Sequence, residues 1–125
     1  MLGKQTLIAF VATSDAARAR VFYEETLGLS LVSDDPFALV FDANGTTIRV
    51  QKVESVKPQP FTALGWLVDD LSAVVSALKQ RGVRCEQFPG MDQDENGIWV
   101  SPSGAVIAWF KDPDGNVLSL TQLGG

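Results

Sequence analysis

The chain has 125 residues, 46% of them hydrophobic and 20% charged, which is the composition of an ordinary globular protein rather than a disordered or fibrous one. It contains no histidine, so Ser-His-Asp hydrolysis, imidazole acid–base relays and histidine metal sites are excluded. Ten basic residues against fifteen acidic ones give a net charge of −5. Binding to a phosphate backbone needs the opposite balance, so no nucleic-acid partner is expected.

The chain carries one cysteine, Cys85, which excludes an internal disulfide and suits a reducing compartment. The longest apolar run, residues 7–12, is far shorter than the roughly twenty residues that a membrane-spanning helix needs. The first residues do not have the pattern of a secretory signal peptide. We therefore expect a cytoplasmic protein with no membrane association.

The first half of the chain predicts a strand, a helix and three more strands. Residues 5–13 form the first strand, and Ser14 or Asp15 offers an N-cap for a helix over 16–26 that stops at Gly28. The remaining strands are predicted over 29–32, 37–41 and 46–53, with turns at 34–36 and 42–45. The Asn44-Gly45 pair in the second turn is a strong hairpin signal.

A linker is predicted over 57–60, where two prolines stiffen the chain, and the order then repeats. Asp70 caps a helix that runs through Arg81 and stops at Gly82. Strands are predicted over 61–68, 84–87, 98–100, 105–110 and 116–121, with a loop over 88–96. Asp15 matches Asp70 at an offset of 55. The sequence therefore predicts an α+β fold made of a duplicated βαβββ unit.

Several motifs carry a family resemblance across nearly the whole chain: Thr13-Ser-Asp15, Phe22-Tyr23, Leu27-Gly28-Leu29, Val68-Asp-Asp70 and Phe110-Lys-Asp-Pro-Asp-Gly-Asn116. At these spacings they resemble the vicinal oxygen chelate superfamily, which includes glyoxalase I, ring-cleaving dioxygenases and bleomycin-binding resistance proteins. The resemblance implies one domain of two tandem βαβββ modules, about 1–56 and 61–123, forming a curved mixed sheet around a cleft. It also implies a homodimer. Fold analogy does not choose among the activities of the family.

The resemblance also implies where metal ligands would lie in metal-dependent members, on the first and last strands of each module. Matched to this sequence, the four positions hold Ile8, Arg49, Ala63 and Ser119. Isoleucine and alanine have no donor atom, and the fixed positive charge of arginine repels a divalent cation. We therefore expect no metal, no cofactor and no metal-dependent catalysis, and assign no catalytic residue.

Ordinary side chains then define the candidate ligand site. Strand alternation places Ile8 with Phe10 on one face, and Arg49 with Gln51 on another row that faces the cleft. The full candidate set is Ile8, Phe10, Arg49, Gln51, Ala63, Trp99 and Ser119. Such a mixture suits a small organic molecule bearing a carboxylate or another oxyanion. Arg49 pointing outward or pairing with an acidic neighbour is an equally weighted alternative, and the acidic surface favours basic compounds, so the charge of the ligand stays open.

Other candidates are weaker. Trp66 and Trp109 belong more often to a core than to a ligand platform, and parity places Trp66 beneath a helix. Trp99 is the best of the tryptophans because it follows the variable loop. The acidic run in that loop predicts either a solvated segment or a lid for a cation, and its spacing does not fit a calcium loop. For Cys85 a reactive thiol is the minor alternative.

Three functions remain open. The leading hypothesis is a metal-free protein that binds or sequesters a small organic molecule. The second is a divergent lyase- or dioxygenase-like enzyme of the same superfamily. The third is a non-catalytic interaction module.

Overall fold

The computed structural model of the protein describes residues 1–124, and the chain divides into two compact units, Met1–Pro58 and the part from Gln59 onward. Each unit contains one four-stranded mixed sheet with a helical layer. Each follows the order strand, helix, three strands. The predicted α+β fold of tandem βαβββ modules is thereby confirmed, and the units are called the first and second modules below.

The first module opens with a 3-10 turn, and its sheet has the order β1-β4-β3-β2. Strand β1 runs parallel to β4, and the other neighbours are antiparallel. Its elements are the 3-10 turn Leu2–Lys4, β1 Ile8–Thr13, α1 Ala16–Arg20, a π-helical turn Val21–Thr26, β2 Ser30–Asp34, β3 Ala38–Ala43 and β4 Thr46–Lys52.

The second module repeats this topology with the order β5-β8-β7-β6. Strand β5 runs parallel to β8, and the other neighbours are antiparallel. Its elements are β5 Thr62–Leu67, α2 Leu71–Gln80, β6 Trp99–Val100, β7 Val106–Lys111 and β8 Val117–Gln122.

The two helices begin with the same N-cap. The Asp15 carboxylate accepts a hydrogen bond from the backbone N–H of Arg18 at 3.2 Å, and Asp70 accepts one from Ala73 at 3.1 Å. Each carboxylate satisfies a backbone donor that has no partner within its helix. The repeat seen in the sequence is therefore also a repeat of local geometry.

Each helical layer covers one face of its own sheet. In the first module Tyr23 is buried with its ring 5.8 Å from that of Phe41. In the second, α2 packs over β7 and β8. Side chains alternate along a strand, so the residues between these core positions point to the opposite face of each sheet. The core side chains include Val11, Leu39, Phe41, Ile48 and Val50 in the first module and Leu71, Val75, Leu78, Phe110, Leu118 and Leu120 in the second.

Three predicted elements differ from those observed. Strand β1 begins at Ile8 rather than at residue 5, because its partner β4 begins only at Thr46 and offers residues 5 and 6 no strand to pair with. The α-helix predicted over 16–26 ends at Arg20 and continues as a π-helical turn, in which the Leu27 N–H donates to the Phe22 carbonyl at 2.9 Å. The wider turn allows two consecutive aromatic residues, Phe22 and Tyr23, to be buried together.

The strand predicted over 84–87 is wrong. Within residues 1–124, one backbone hydrogen bond joins this segment to β7, from the Glu86 N–H to the Trp109 carbonyl at 2.8 Å. The Glu86 carbonyl instead accepts from the side-chain amide of Gln93. A β-ladder needs repeated hydrogen bonds between the backbones of two strands. Here the Gln93 side chain takes the Glu86 carbonyl, so the ladder does not continue.

Candidate functional site

The candidate residues of the first module lie on the face of the sheet that its helix does not cover. The register pairs Phe10 with Arg49 and Ile8 with Thr47 across β1 and β4, so these side chains share a face. Gln51 follows on the same side of β4. Ile8 is 46% exposed and Phe10 is 51% exposed. The structure thus brings Ile8, Phe10, Arg49 and Gln51 together as an apolar surface with a guanidinium and an amide.

Arg49 is half-buried and forms no ion pair within residues 1–124. Its charge does reach the Asp35 carboxyl, whose pKa is lowered mainly by the backbone N–H donors of Phe37 and Ala38 and also by Arg49. Those two donors lie 2.7 and 2.9 Å from the carboxylate. The five N–H donors of the guanidinium are therefore left for solvent or a ligand within the described part of the chain.

The turn between β3 and β4 fixes what lies beside Arg49. Asn44 and Gly45 both have positive φ, 49° and 91°, as the tight turn between antiparallel strands requires. This turn pairs Val40 with Arg49 and Asp42 with Thr47. Asp42 was predicted to lie in the turn but belongs to β3, where it places an exposed carboxylate on the same face. Counting outward from the two-residue turn would have found it.

The second module places its candidates differently. Ser119 lies opposite Gly65 on β5 and opposite Trp109 on β7. Trp99 pairs with Ile107 and shares this face. Ala63 is exposed at an irregularity of β5, where it has no partner in the register, so it is not brought into the row of Ser119.

The three tryptophans separate into two environments. Trp66 stacks on Phe110, with centroids 6.4 Å apart, on the helix-covered face, as its parity predicts. Trp99 and Trp109 lie together on the opposite face, with their ring centroids 6.2 Å apart. The sequence reasoning gave Trp109 no place in the site. Its alternation with buried Phe110, one residue further along, was the signal that would have found it.

The acidic loop is organised by its own backbone. The Asp94 carboxylate accepts from the N–H groups of Asn96 and Ile98, each at 2.9 Å. This geometry is a local turn in which the Oδ1 atom of the carboxylate accepts both bonds. The contacts of Asp94 therefore do not support the hypothesis that the loop is a lid for a cation.

Cys85 lines a pocket of about 220 Å³ beside α2, together with Lys79, Arg84 and Glu95. Burial raises the pKa of its thiol, and the neighbouring Glu86 and Asp94 raise it further. A raised pKa reduces the thiolate fraction, which is the nucleophilic form. The site therefore does not activate Cys85.

Metal-binding chemistry needs a cluster of suitable donors. Across the described residues, no group of three or more His, Cys, Asp or Glu side chains is placed to hold a metal ion. At the four positions that the resemblance marks, the side chains supply one guanidinium and one hydroxyl. Neither is a ligand of the kind that holds zinc, iron or manganese in proteins.

These features define a duplicated βαβββ protein of the vicinal oxygen chelate type. The chain belongs to the Glyoxalase/Bleomycin resistance protein/Dioxygenase superfamily, whose family model matches residues 6–120. Comparison with curated proteins gave no match.

Solved structures similar to this chain share its fold over nearly its full length. A lactoylglutathione lyase from Agrobacterium tumefaciens has a TM-score of 0.74 at 16% identity, covering 95% of this chain and 93% of that one. A superfamily member from Sphaerobacter thermophilus has a TM-score of 0.71 at 27% identity, covering 94% and 95%. TnmS3, an antibiotic binding protein from a Streptomyces species, has a TM-score of 0.72 at 26% identity, covering 97% of each chain.

Proposed function

We propose that this protein binds or sequesters a small organic molecule without using a metal ion. The observation that carries the proposal is the uncovered face of the first module, where the register joins exposed Ile8 and Phe10 to Arg49 and Gln51. An apolar surface with a few polar groups is the usual make-up of a small-molecule site. The similarity to an antibiotic binding protein supports the same class of function.

The side chains at the four marked positions do not fit a divalent ion. Ile8 and Ala63 offer no donor atom, and Arg49 brings a positive charge to the position where a ligand would be needed. Ser119 alone cannot hold a metal. We therefore derive no step through a metal, and assign binding rather than metal-dependent turnover.

The Arg49 guanidinium gives the first module a preference for an oxyanion. A planar guanidinium donates two parallel hydrogen bonds to a carboxylate. Replacing it leaves a carboxylate ligand without these charged bonds, so we expect Arg49→Ala to weaken binding of 2-naphthoate by about 1.5–3 kcal/mol. Isothermal titration calorimetry measures this change.

Arg18→Ala is the matched control, because Arg18 is an exposed arginine on α1, away from the sheet face. Equal affinity of the wild type and Arg49→Ala for 2-naphthoate would remove Arg49 from the site. Native mass spectrometry of the purified protein tests the function more broadly. Absence of any retained small molecule, together with absence of binding to 2-naphthoate and 2-naphthamide, would overturn the proposal of small-molecule binding.

A further inference from the structure

Three aromatic side chains, Phe88, Trp99 and Trp109, form a half-buried cluster in the second module, called the aromatic platform below. The rings of Trp99 and Trp109 have centroids 6.2 Å apart, and the Phe88 ring meets Trp109 edge-on at 5.6 Å. The register places both tryptophans on the face of the sheet opposite α2. Each ring is partly exposed. The platform therefore offers π surface on a face that no helix of its module covers.

The hydroxyl of a largely buried serine lies beside the platform. Ser119 is opposite Trp109 in the register and is only 8% exposed, and its side-chain oxygen pairs with no group among the described residues. On its other side lies Gly65, where an added Cβ would lie 2.8 Å from the Ser119 oxygen. The Ser119 oxygen is not among the fully buried side-chain atoms that lack a partner, so it still reaches solvent. A ligand on this face can therefore replace water as its hydrogen-bond partner.

Among the residues that the structure describes, the register rows that carry the two tryptophans and Ser119 contain no charged side chain. The row through Ser119 consists of Gly65, Ser119 and Trp109. The next row contains Leu67, Thr121, Ile107 and Trp99. Lys111, further along β7, is paired with Glu86 at 3.4 Å. The second module thus differs from the first, where Arg49 favours an anion.

We propose that the aromatic platform binds the flat face of a neutral, planar aromatic ligand, and that Ser119 hydrogen-bonds a carbonyl or hydroxyl group of that ligand. The inference rests on the proposed function and names the ligand class that the second module recognises. Aromatic rings prefer offset or edge contacts with other rings, which half-exposed tryptophans can still make. Gly65 contributes by leaving the Ser119 hydroxyl free of a neighbouring side chain.

The test uses the indole N–H signals of the three tryptophans in the ¹⁵N-labelled full chain. The probe is 2-naphthamide, a planar bicycle with an uncharged amide, and the comparison compound is its saturated decahydro analogue. We expect 2-naphthamide to shift the signals of Trp99 and Trp109. Trp66 stacks on Phe110 on the other face and serves as the internal control, so its signal should stay unmoved.

Variants then assign the contacts. Trp109→Leu should weaken 2-naphthamide binding about tenfold, which corresponds to the loss of one aromatic contact. Ser119→Ala should weaken it about fivefold because one hydrogen bond is lost. Ser72→Ala, at an exposed position of α2, and Trp66→Phe are the controls. Trp99→Leu, which removes the other tryptophan ring of the platform, replaces Trp109→Leu if that variant does not fold.

The inference is overturned if the saturated analogue binds as tightly as 2-naphthamide, or if the Trp66 signal moves as much as the other two. Unchanged affinity in both Ser119→Ala and a folded variant that replaces Trp109 or Trp99 with leucine overturns it as well. In each case Arg49-dependent binding of 2-naphthoate would leave the proposed function standing, so the two failures are distinguishable.

Discussion

The side-chain amide of Gln93 fixes the segment that contains Phe88. Its nitrogen donates to the Glu86 and Gly97 carbonyls at 2.9 and 2.8 Å, and its oxygen accepts from the Phe88 N–H at 2.7 Å. The amide thereby uses both hydrogens and an acceptor site within the segment. Phe88 is placed against Trp109 by this side chain rather than by a β-ladder.

Replacing Gln93 with alanine should destabilise the second module. Three partly buried hydrogen bonds are lost, and at about 1 kcal/mol each the free energy of unfolding should fall by about 2–3 kcal/mol. Urea denaturation followed by tryptophan fluorescence measures this change. Gln80→Ala, at the exposed end of α2, is the control, and a fall no larger than that of the control would show that the segment is held in another way.

At the level of elements, the N-cap residues predicted from the sequence mark where the two helices begin. Asp70 accepts from the Ala73 N–H and begins α2, whereas the preceding Asp69 is an exposed carboxylate outside the helix. We expect Asp70→Ala to lower the free energy of unfolding by about 1 kcal/mol, the usual effect of losing an N-cap. Asp69→Ala removes the same charge from the neighbouring residue. An equal loss of stability in both variants would therefore show that the effect comes from charge rather than from capping.

Local signals therefore predicted most elements, because caps and tight turns depend on neighbouring residues. The Asn44-Gly45 turn sets the partner of every residue on β4, and Arg49 and Phe10 share a face as alternation requires. The failures depended on distant partners. Residues 84–87 are predicted as a strand, yet the Glu86 carbonyl accepts a hydrogen bond from the Gln93 side chain. Alternation gives the face on which Trp109 lies, but no local pattern reveals that its neighbour across the sheet is Ser119.

At the scale of the whole molecule, the negative net charge and a specific metal site are different properties. A net charge of −5 attracts cations loosely to the surface, so traces of metal in the purified protein would carry no meaning by themselves. A resident ion needs several donors in one place. The described residues include no cluster of three acidic, cysteine or histidine side chains suited to that task. Across that part of the chain, no helix is long and apolar enough to cross a bilayer.

Ligand binding should accordingly be independent of metal. We expect the affinity for 2-naphthoate to change by less than about twofold after dialysis against EDTA and again after addition of zinc, nickel, manganese or iron, since the proposed partner of the carboxylate is Arg49 rather than an ion. Calorimetry measures the affinity, and elemental analysis after gel filtration measures the metal retained per chain. Loosely held surface ions are lost in that filtration, whereas a structural or catalytic ion is retained. One equivalent retained per chain, with affinity lost on its removal, would show that the protein uses donors other than those at the four marked positions.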